Sequence, residues 1–277
     1  MRNVSFFRDG LTLTGNLFLP ANFAEAGRYP AIVVAGSLSS VKEQMADTYA
    51  RRLADNGFVA LAVDYSHYRQ SQGQPRQLES PTAKLGDLKA AVSYLTALPQ
   101  TRAVGMLSVC TSAGNGADLV ANDTRVRALA TVAAFLPNPE LNERLLGAAT
   151  IAQHRAEGAD AQLRFERAGE HVTVKTYSVE DPTALNVNPK GNYDYYFNPE
   201  RGGSPAWKNE FAVMSHEGWL DFDPVSKASA IKAPTIMVHS DACAFPEHFQ
   251  QAPSFDFAGQ HESLWWSRFL STIKIIS

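Results

Sequence analysis

Short apolar runs alternate with amphipathic segments along most of this chain, and this alternation constrains the fold more than any other feature. The runs lie at residues 31–34, 58–63, 103–107, 128–134 and 235–239. Continuous apolar runs of this length are typical of strands buried on both faces, whereas a strand with one face in water alternates apolar and polar residues. The pattern therefore predicts an α/β fold, with a mainly parallel sheet and helices on both faces.

Turn and cap signals place the first elements. Two alternating runs flank Asp9–Gly10, a dipeptide that favours a tight turn, so an N-terminal β-hairpin is expected. A capping-box pattern at Ser40–Glu43 predicts a helix over 40–56, and flanking prolines predict another over 81–98. A last helix is expected over 264–273.

The regular alternation of predicted strands and helices is interrupted between residues 137 and 233. This segment contains a helical stretch at about 139–168, a strand-like alternation at 171–179 and then an aromatic loop rich in Gly and Pro. It contributes no obvious strand to the main sheet. We therefore expect a cap, residues 137–233, inserted into a core formed by residues 1–136 and 234–277.

The composition limits the classes of partner that the chain is expected to bind. The chain has 25 basic and 28 acidic side chains, a formal charge of −3, which does not favour nucleic acid or an anionic membrane. A small-molecule partner is expected, and the sequence leaves open whether the chain forms a homodimer. The 2 cysteines cannot form a disulfide framework, and the first residues lack the apolar core of a signal peptide. A cytoplasmic protein without a membrane span is the expectation.

One of the cysteines follows a predicted strand directly. Residues 108–112 read Ser-Val-Cys-Thr-Ser, so small residues stand two positions before and after Cys110. A strand, a nucleophile with small flanking residues and then a helix is typical of a nucleophile elbow, although Gly is usual at both flanking positions. The positive end of the following helix is expected to lower the thiol pKa. Two alternatives remain, a structural buried cysteine and Ser112 as the nucleophile.

An acid and a histidine follow Cys110 in the chain. Asp241 comes directly after the strand at 235–239, and His261 comes shortly after an apolar stretch at 255–257. Nucleophile, acid and histidine in this order are typical of α/β-hydrolases. With these motifs the chain resembles the α/β-hydrolase superfamily over essentially its whole length, and within it the dienelactone-hydrolase-like branch that has a cysteine nucleophile.

This resemblance implies a role for each of these side chains. Cys110 is the nucleophile, His261 the base and Asp241 the acid that orients the base. Because many relatives place the acid one residue later, where this chain has Ala242, Glu247 stays open as a substitute.

The resemblance also implies residues around the thiol. Backbone N–H groups of Thr111 and of Ser37 or Leu38 are expected to form the oxyanion hole. Glu43 has two interpretations, a capping residue or an acid that approaches the resting thiol and controls its ionisation.

The substrate site is expected beneath the cap. Aromatic residues of the cap either form a small core of their own or line an apolar pocket over Cys110, which favours an apolar or aromatic substrate. The candidate substrate-binding residues are His67, Tyr195, Tyr196, Trp207 and Trp219. No compact spacing of metal ligands surrounds Cys110, so neither a metal nor a cofactor is expected.

Together these residues predict hydrolysis of an ester, lactone or thioester through a Cys-His-Asp triad and a thioester acyl-enzyme. Two other functions remain open. One is C–C bond cleavage, acyl transfer or cyclisation on the same fold, and the other is a ligand-binding protein without catalysis.

Overall fold

The structure is a computed structural model that describes residues 1–189 and 193–239. Several predictions fall on residues outside these ranges. They are those for Asp241, Glu247, His261 and the helix at 264–273.

The core of the fold is a seven-stranded sheet with helices on both faces, as the apolar runs predict. Its first six strands are β1 (Arg2–Arg8), β2 (Leu11–Phe18), β3 (Tyr29–Ala35), β4 (Val59–Asp64), β5 (Thr101–Val109) and β6 (Val126–Val132). They lie in the order β1-β2-β4-β3-β5-β6, in which β3 pairs in parallel with β4 and β5, and β5 with β6. The predicted hairpin is confirmed: β1 pairs antiparallel with β2, and Asp9 and Gly10 turn between them with φ of 47° and 82°.

Three helices connect these strands. They are α1 (Met45–Asp55), α2 (Pro81–Ala97) and α3 (Ser112–Asn122). The predicted start of α2 is confirmed, because the Ser80 side chain accepts a hydrogen bond from the N–H of Ala83 and Pro81 opens the helix.

The predicted capping box at the start of α1 is wrong. The helix begins at Met45, and the Ser40 hydroxyl instead donates to the carbonyl of Ser37 within the preceding loop. The Gln44 side chain takes over part of this role, since its Oε1 accepts from the N–H of Val41. The loop before the helix is therefore longer than expected, and its residues are buried at the end of β3.

The segment between β6 and the last described strand adds no strand to the seven-stranded sheet. It contains α4 (Pro139–Leu146), α5 (Ala148–Ala168), β7 (Thr173–Val174), β8 (Tyr177–Ser178), β9 (Asn186–Val187), α6 (Asp194–Phe197), β10 (Phe211–Ala212), a 3-10 turn (Val213–Ser215), α7 (His216–Leu220) and a second 3-10 turn (Val225–Ala230). Gly147, at φ 80°, separates α4 from α5 within the predicted helical stretch. The chain then returns as β11 (Thr235–Val238), which pairs in parallel with β6 as expected.

Both faces of the sheet are buried, which explains the continuous apolar runs. Along β3, Ile32 and Val34 pack on the side of α1, whereas Ala31 and Val33 pack on the opposite face, where α2 and α3 lie. Successive side chains of a strand point to opposite faces, so a strand covered on both sides must be apolar at every position. Among residues 1–189 and 193–239, no helix combines the length and the apolar character needed to cross a bilayer.

Candidate active site

Cys110 occupies the sharp turn between β5 and α3. Its φ is 56°, in the left-handed region, which costs a non-glycine residue about 1–2 kcal/mol. Three backbone hydrogen bonds hold this conformation: the N–H of Cys110 donates to the carbonyl of Val132 at 2.9 Å, and its carbonyl accepts from Ala113 at 2.9 Å and Phe135 at 3.0 Å. The surrounding structure therefore imposes the strained turn, as a nucleophile elbow requires.

The two serines that flank Cys110 fit the tight packing of this turn. Ser108 and Ser112 are both fully buried, and a Cβ added to Gly116 of α3 would lie 2.2 Å from the Ser108 hydroxyl oxygen. The Ser112 hydroxyl donates to the carbonyl of Gly36 and lies 2.9 Å from the hydroxyl of Tyr65. Ser112 is thus engaged beneath the elbow, and these contacts give no support to it as the nucleophile.

Backbone N–H groups from two loops converge on the thiol. Burial raises the pKa of Cys110 to about 11, and the backbone N–H groups of Thr111 and Leu38 both oppose this rise by stabilising the thiolate. The expected lowering of the pKa at the helix end is therefore outweighed by burial. Donors placed in this way are suited to an oxyanion that forms beside the sulfur.

A buried ion pair that sequence reasoning missed lies near the thiol. The Lys84 ammonium pairs with the carboxylate of Glu79, and both side chains are almost completely inaccessible. Glu79 also accepts from the hydroxyl of Tyr68 at 2.9 Å, and Lys84 lies 4.5 Å from the ring centroid of Tyr65. The charge of Lys84 lowers the pKa of Cys110 and that of Glu79 raises it, so both charges act on the nucleophile.

The sequence does contain a signal for Lys84. It lies on the buried face of α2, in helical register with Leu88, Ala91 and Leu95. A charged residue on an apolar stripe needs a buried partner, and that requirement indicates an ion pair.

Glu43 lies in a different charge cluster. Its carboxylate contacts the ammonium of Lys42 at 3.2 Å and the guanidinium of Arg69 at 3.4 Å. Lys42 also contacts the buried carboxylate of Asp64 at 2.5 Å. Glu79 is the acid among the largest electrostatic influences on Cys110, whereas Glu43 is engaged by Lys42 and Arg69, so these contacts lend no support to Glu43 as the acid that controls the thiol.

The loop after β4 holds two non-glycine residues in the left-handed region. His67 has a φ of 74° and Arg69 a φ of 46°. Nδ1 of His67 lies 2.9 Å from the carbonyl oxygen of Pro75, and burial lowers the pKa of His67. The imidazole of His67 is thus held by its own loop, and no contact in the structure supports its predicted role in substrate binding.

Aromatic residues from the inserted segment cover the loop after β3. The Tyr196 hydroxyl lies 2.8 Å from the Ser37 hydroxyl and accepts from the Tyr177 hydroxyl at 3.2 Å, while the two tyrosine rings stack at 4.4 Å. Trp207 stacks on Tyr196 at 5.3 Å and donates through Nε1 to the Ser39 hydroxyl at 3.3 Å. Side-chain hydrogen bonds and ring stacking therefore fix this aromatic cluster on the core.

Two phenols of this cluster lie close to the thiol. Burial and, after it, the negative charge of an ionised Cys110 together raise the pKa of Tyr196 to about 12. Burial also raises the pKa of Tyr177, with Tyr196 and Cys110 as further causes. Of the other predicted substrate-binding residues, Tyr195 meets Tyr196 edge-on at 5.3 Å, and Trp219 stacks 5.8 Å from Phe135. Tyr177 was missed because its segment alternates like an ordinary strand.

The parallel sheet, the preceding hairpin and a cysteine held at positive φ between strand and helix define an α/β-hydrolase fold. The family model of the dienelactone hydrolase family matches residues 13–179, which is more than half of the chain. The chain belongs to the dienelactone hydrolase family, which confirms the family resemblance of its sequence motifs.

Similar proteins agree with this assignment. An uncharacterized protein of Pseudomonas aeruginosa is 41% identical over 230 residues, which is 81% of this chain and 60% of that protein. The chain therefore spans less than two thirds of that relative's length. A thiohydrolase of Eupenicillium brefeldianum is 27% identical over 251 residues, 87% of this chain and 77% of the relative. The solved structure of the α/β-hydrolase GrgF from a Penicillium species superposes with a TM-score of 0.74 at 20% identity, covering 99% of this chain and 98% of that one.

Proposed function

We propose that this protein hydrolyses activated acyl compounds, namely thioesters, enol lactones or activated esters, through a thioester acyl-enzyme on Cys110. The observation that carries the proposal is the thiol at a strained elbow, with the backbone N–H groups of Thr111 and Leu38 close enough to stabilise its thiolate. A thiolate is a good nucleophile and also a good leaving group, so its tetrahedral adduct expels sulfur in preference to a poor leaving group. Amides are therefore poor substrates.

Ionising the thiol is the first energetic requirement of this mechanism. With the Cys110 pKa at about 11, forming the thiolate at pH 7.5 costs about 5 kcal/mol, since each pKa unit corresponds to about 1.36 kcal/mol. We propose His261 as the base that accepts this proton and Asp241 as the acid that orients it, both from the family resemblance. Lys84 supports the same ionisation by stabilising the thiolate.

The chemical steps follow from these groups. The thiolate attacks the acyl carbon, and the N–H groups of Thr111 and Leu38 stabilise the oxyanion. The oxyanion collapses to a thioester as the leaving group departs with the proton held by His261. Water, deprotonated by the same histidine, then attacks the thioester, and release of the acid restores the Cys110 thiol.

The aromatic cluster supports an apolar or aromatic acyl group. Tyr177, Tyr196 and Trp207 stack together over the loop that carries Leu38, and the first two lie near the sulfur. Residues 137–233 thus serve in this proposal as the cap of the acyl site. Thioester cleavage is further supported by the relative described as a thiohydrolase.

A substrate series with one aromatic acyl group tests the proposal. The thioester and an aryl ester should turn over and the matching amide should not. Cys110→Ala should lower the rate with the thioester by about 10³-fold or more, with the folded state checked by circular dichroism. Equal turnover by wild type and Cys110→Ala contradicts the proposal. A product in which another nucleophile has taken the acyl group assigns acyl transfer instead of hydrolysis.

A further inference from the structure

Two histidines and a glutamate from distant parts of the inserted segment come together away from Cys110. His154 and Glu157 lie on α5, and His216 is the first residue of α7. One nitrogen or carboxylate oxygen of each lies within 4.8 Å of the corresponding atoms of the other two. The separation of His154 and Glu157 by three residues places both on one face of the helix.

We propose that His154, Glu157 and His216 form a divalent-cation site that takes zinc. Imidazole nitrogens and a carboxylate oxygen are ligands that zinc accepts, and a site of two histidines and one glutamate is a known zinc ligand set. This proposal is independent of the chemistry at Cys110.

The two imidazoles already lie against each other. Their rings stack at 4.3 Å with an angle of 15°. Because the nitrogen lone pair of an imidazole lies in the plane of its ring, one ring must turn out of the stack for both nitrogens to bind one ion. The geometry therefore supplies two neighbouring imidazole ligands, of which one rotates on binding.

The distances require only a small closure. Ligand atoms around a tetrahedral zinc ion lie about 3.4 Å apart, given bonds of about 2.0–2.1 Å. Glu157 is exposed, and its carboxylate accepts a hydrogen bond from Nε2 of Gln153 at 2.8 Å. A rotation of this exposed side chain toward the histidines exchanges that hydrogen bond for a bond to the metal.

An open coordination position is also present. The three side chains line a cleft of about 410 Å³, whose other walls include Asp160, Arg164 and Val172. Water or a small anion in this cleft is able to complete the coordination of the metal.

Zinc at this site would join the long cap helix to a segment that contacts the active-site loop. Ser215, next to His216, accepts a hydrogen bond through its hydroxyl from the N–H of Glu79 at 2.9 Å. Glu79 is the buried acid that acts on Cys110. Bound metal is therefore expected to stabilise the cap and the Glu79 segment together.

The test is a zinc titration of the full chain in a Cys110→Ser/Cys243→Ser background, which removes both thiols as competing ligands. Competition with a chromogenic chelator measures the affinity and stoichiometry of zinc binding, and thermal unfolding measures the increase in Tm that binding causes. We expect one zinc ion per chain. His154→Ala and Glu157→Gln should each weaken binding by more than about tenfold, the lower limit expected even for loss of an outer-shell partner.

His171→Ala provides the matched control, since His171 is an exposed histidine of the same segment, and it should bind zinc like the parent. His216→Ala should abolish zinc binding if the variant folds. If it does not fold, Glu157→Gln still tests the site, because Glu157 is exposed. Absence of zinc binding by the Cys110→Ser/Cys243→Ser protein overturns the proposal. Zinc binding that is unchanged in both His154→Ala and Glu157→Gln overturns it as well.

Discussion

Replacing Lys84 with methionine is expected to destabilise the protein strongly, because the change leaves the Glu79 carboxylate charged in the core without its cation. Lys84 retains 3% of its side-chain exposure and Glu79 retains 0%. Removing one member of a buried ion pair costs about 3–5 kcal/mol. For a chain of this size about 1 kcal/mol shifts Tm by roughly 2–4 °C, so a fall of roughly 6–20 °C is expected.

The double variant Glu79→Gln/Lys84→Met separates the unpaired charge from the loss of packing. Because it removes both charges, it should recover more than half of the free energy of unfolding that Lys84→Met loses. Urea unfolding of the single and double variants measures this. Glu25→Gln, which removes one partner of an exposed ion pair with Arg2, should change stability by less than about 0.5 kcal/mol. A loss below about 1 kcal/mol in Lys84→Met, or no recovery in the double variant, refutes the reasoning.

The same pair should shift the reactivity of Cys110 in opposite directions. Lys84 lowers the pKa of Cys110 and Glu79 raises it, so Lys84→Met should move the pH profile of alkylation upward and Glu79→Gln should move it downward. At a fixed pH below the midpoint, Glu79→Gln therefore reacts faster than the parent. Iodoacetamide rates followed by intact mass in a Cys243→Ser background measure one thiol. Shifts of both variants in the same direction contradict the electrostatic assignment.

Three further substitutions test the turn at Cys110 and the aromatic cluster beside it. The free energy of unfolding of Cys110→Gly should be about 0.5–1 kcal/mol higher than that of Cys110→Ala. Glycine relieves the strain of φ 56° but loses part of this gain because it makes the unfolded chain more flexible. Greater stability of the alanine variant in urea refutes this. Ser112→Ala should lower the free energy of unfolding by about 1–3 kcal/mol, because the carbonyl of Gly36 loses the Ser112 hydroxyl as a donor. Acylation of Cys110 by an activated ester should be retained. Loss of acylation in folded protein would instead assign Ser112 to the chemistry. Tyr196→Ala should raise KM for an aromatic thioester by about tenfold relative to Tyr196→Phe, which keeps the ring; equal KM values remove Tyr196 from the acyl site.

The strands of the sheet could be predicted from the sequence, because burial on both faces of a sheet requires continuous apolar runs. Each predicted run corresponds to a strand, and the hairpin turn at Asp9 and Gly10 lies where the dipeptide indicates. The start of α1 was not predictable in the same way. Ser40 and Glu43 have the spacing of a capping box, but Lys42 must reach the buried Asp64, and this tertiary contact keeps residues 40–44 outside the helix.

The surroundings of Cys110 were only partly predictable for a similar reason. Thr111 and the alternatives Ser37 and Leu38 came from the family resemblance, because a backbone N–H donor leaves no side-chain signature in the sequence. Glu79 acts on the thiol only because its loop packs beside the elbow, and no local spacing relates the two residues. Tyr177 likewise reaches the sulfur through packing of the inserted segment, so its role depends on tertiary structure that the alternating pattern does not contain.

Direct observation of an acyl group on Cys110 is the most stringent test of the proposed mechanism. The protein is mixed with an activated aromatic ester, quenched in acid within the first turnover and analysed by intact mass and peptide mapping. The proposal predicts an increase equal to one acyl group, located on the peptide containing Cys110, absent in Cys110→Ala and lost on incubation with hydroxylamine. Turnover without any adduct, or an adduct that persists in Cys110→Ala, contradicts Cys110 as the nucleophile.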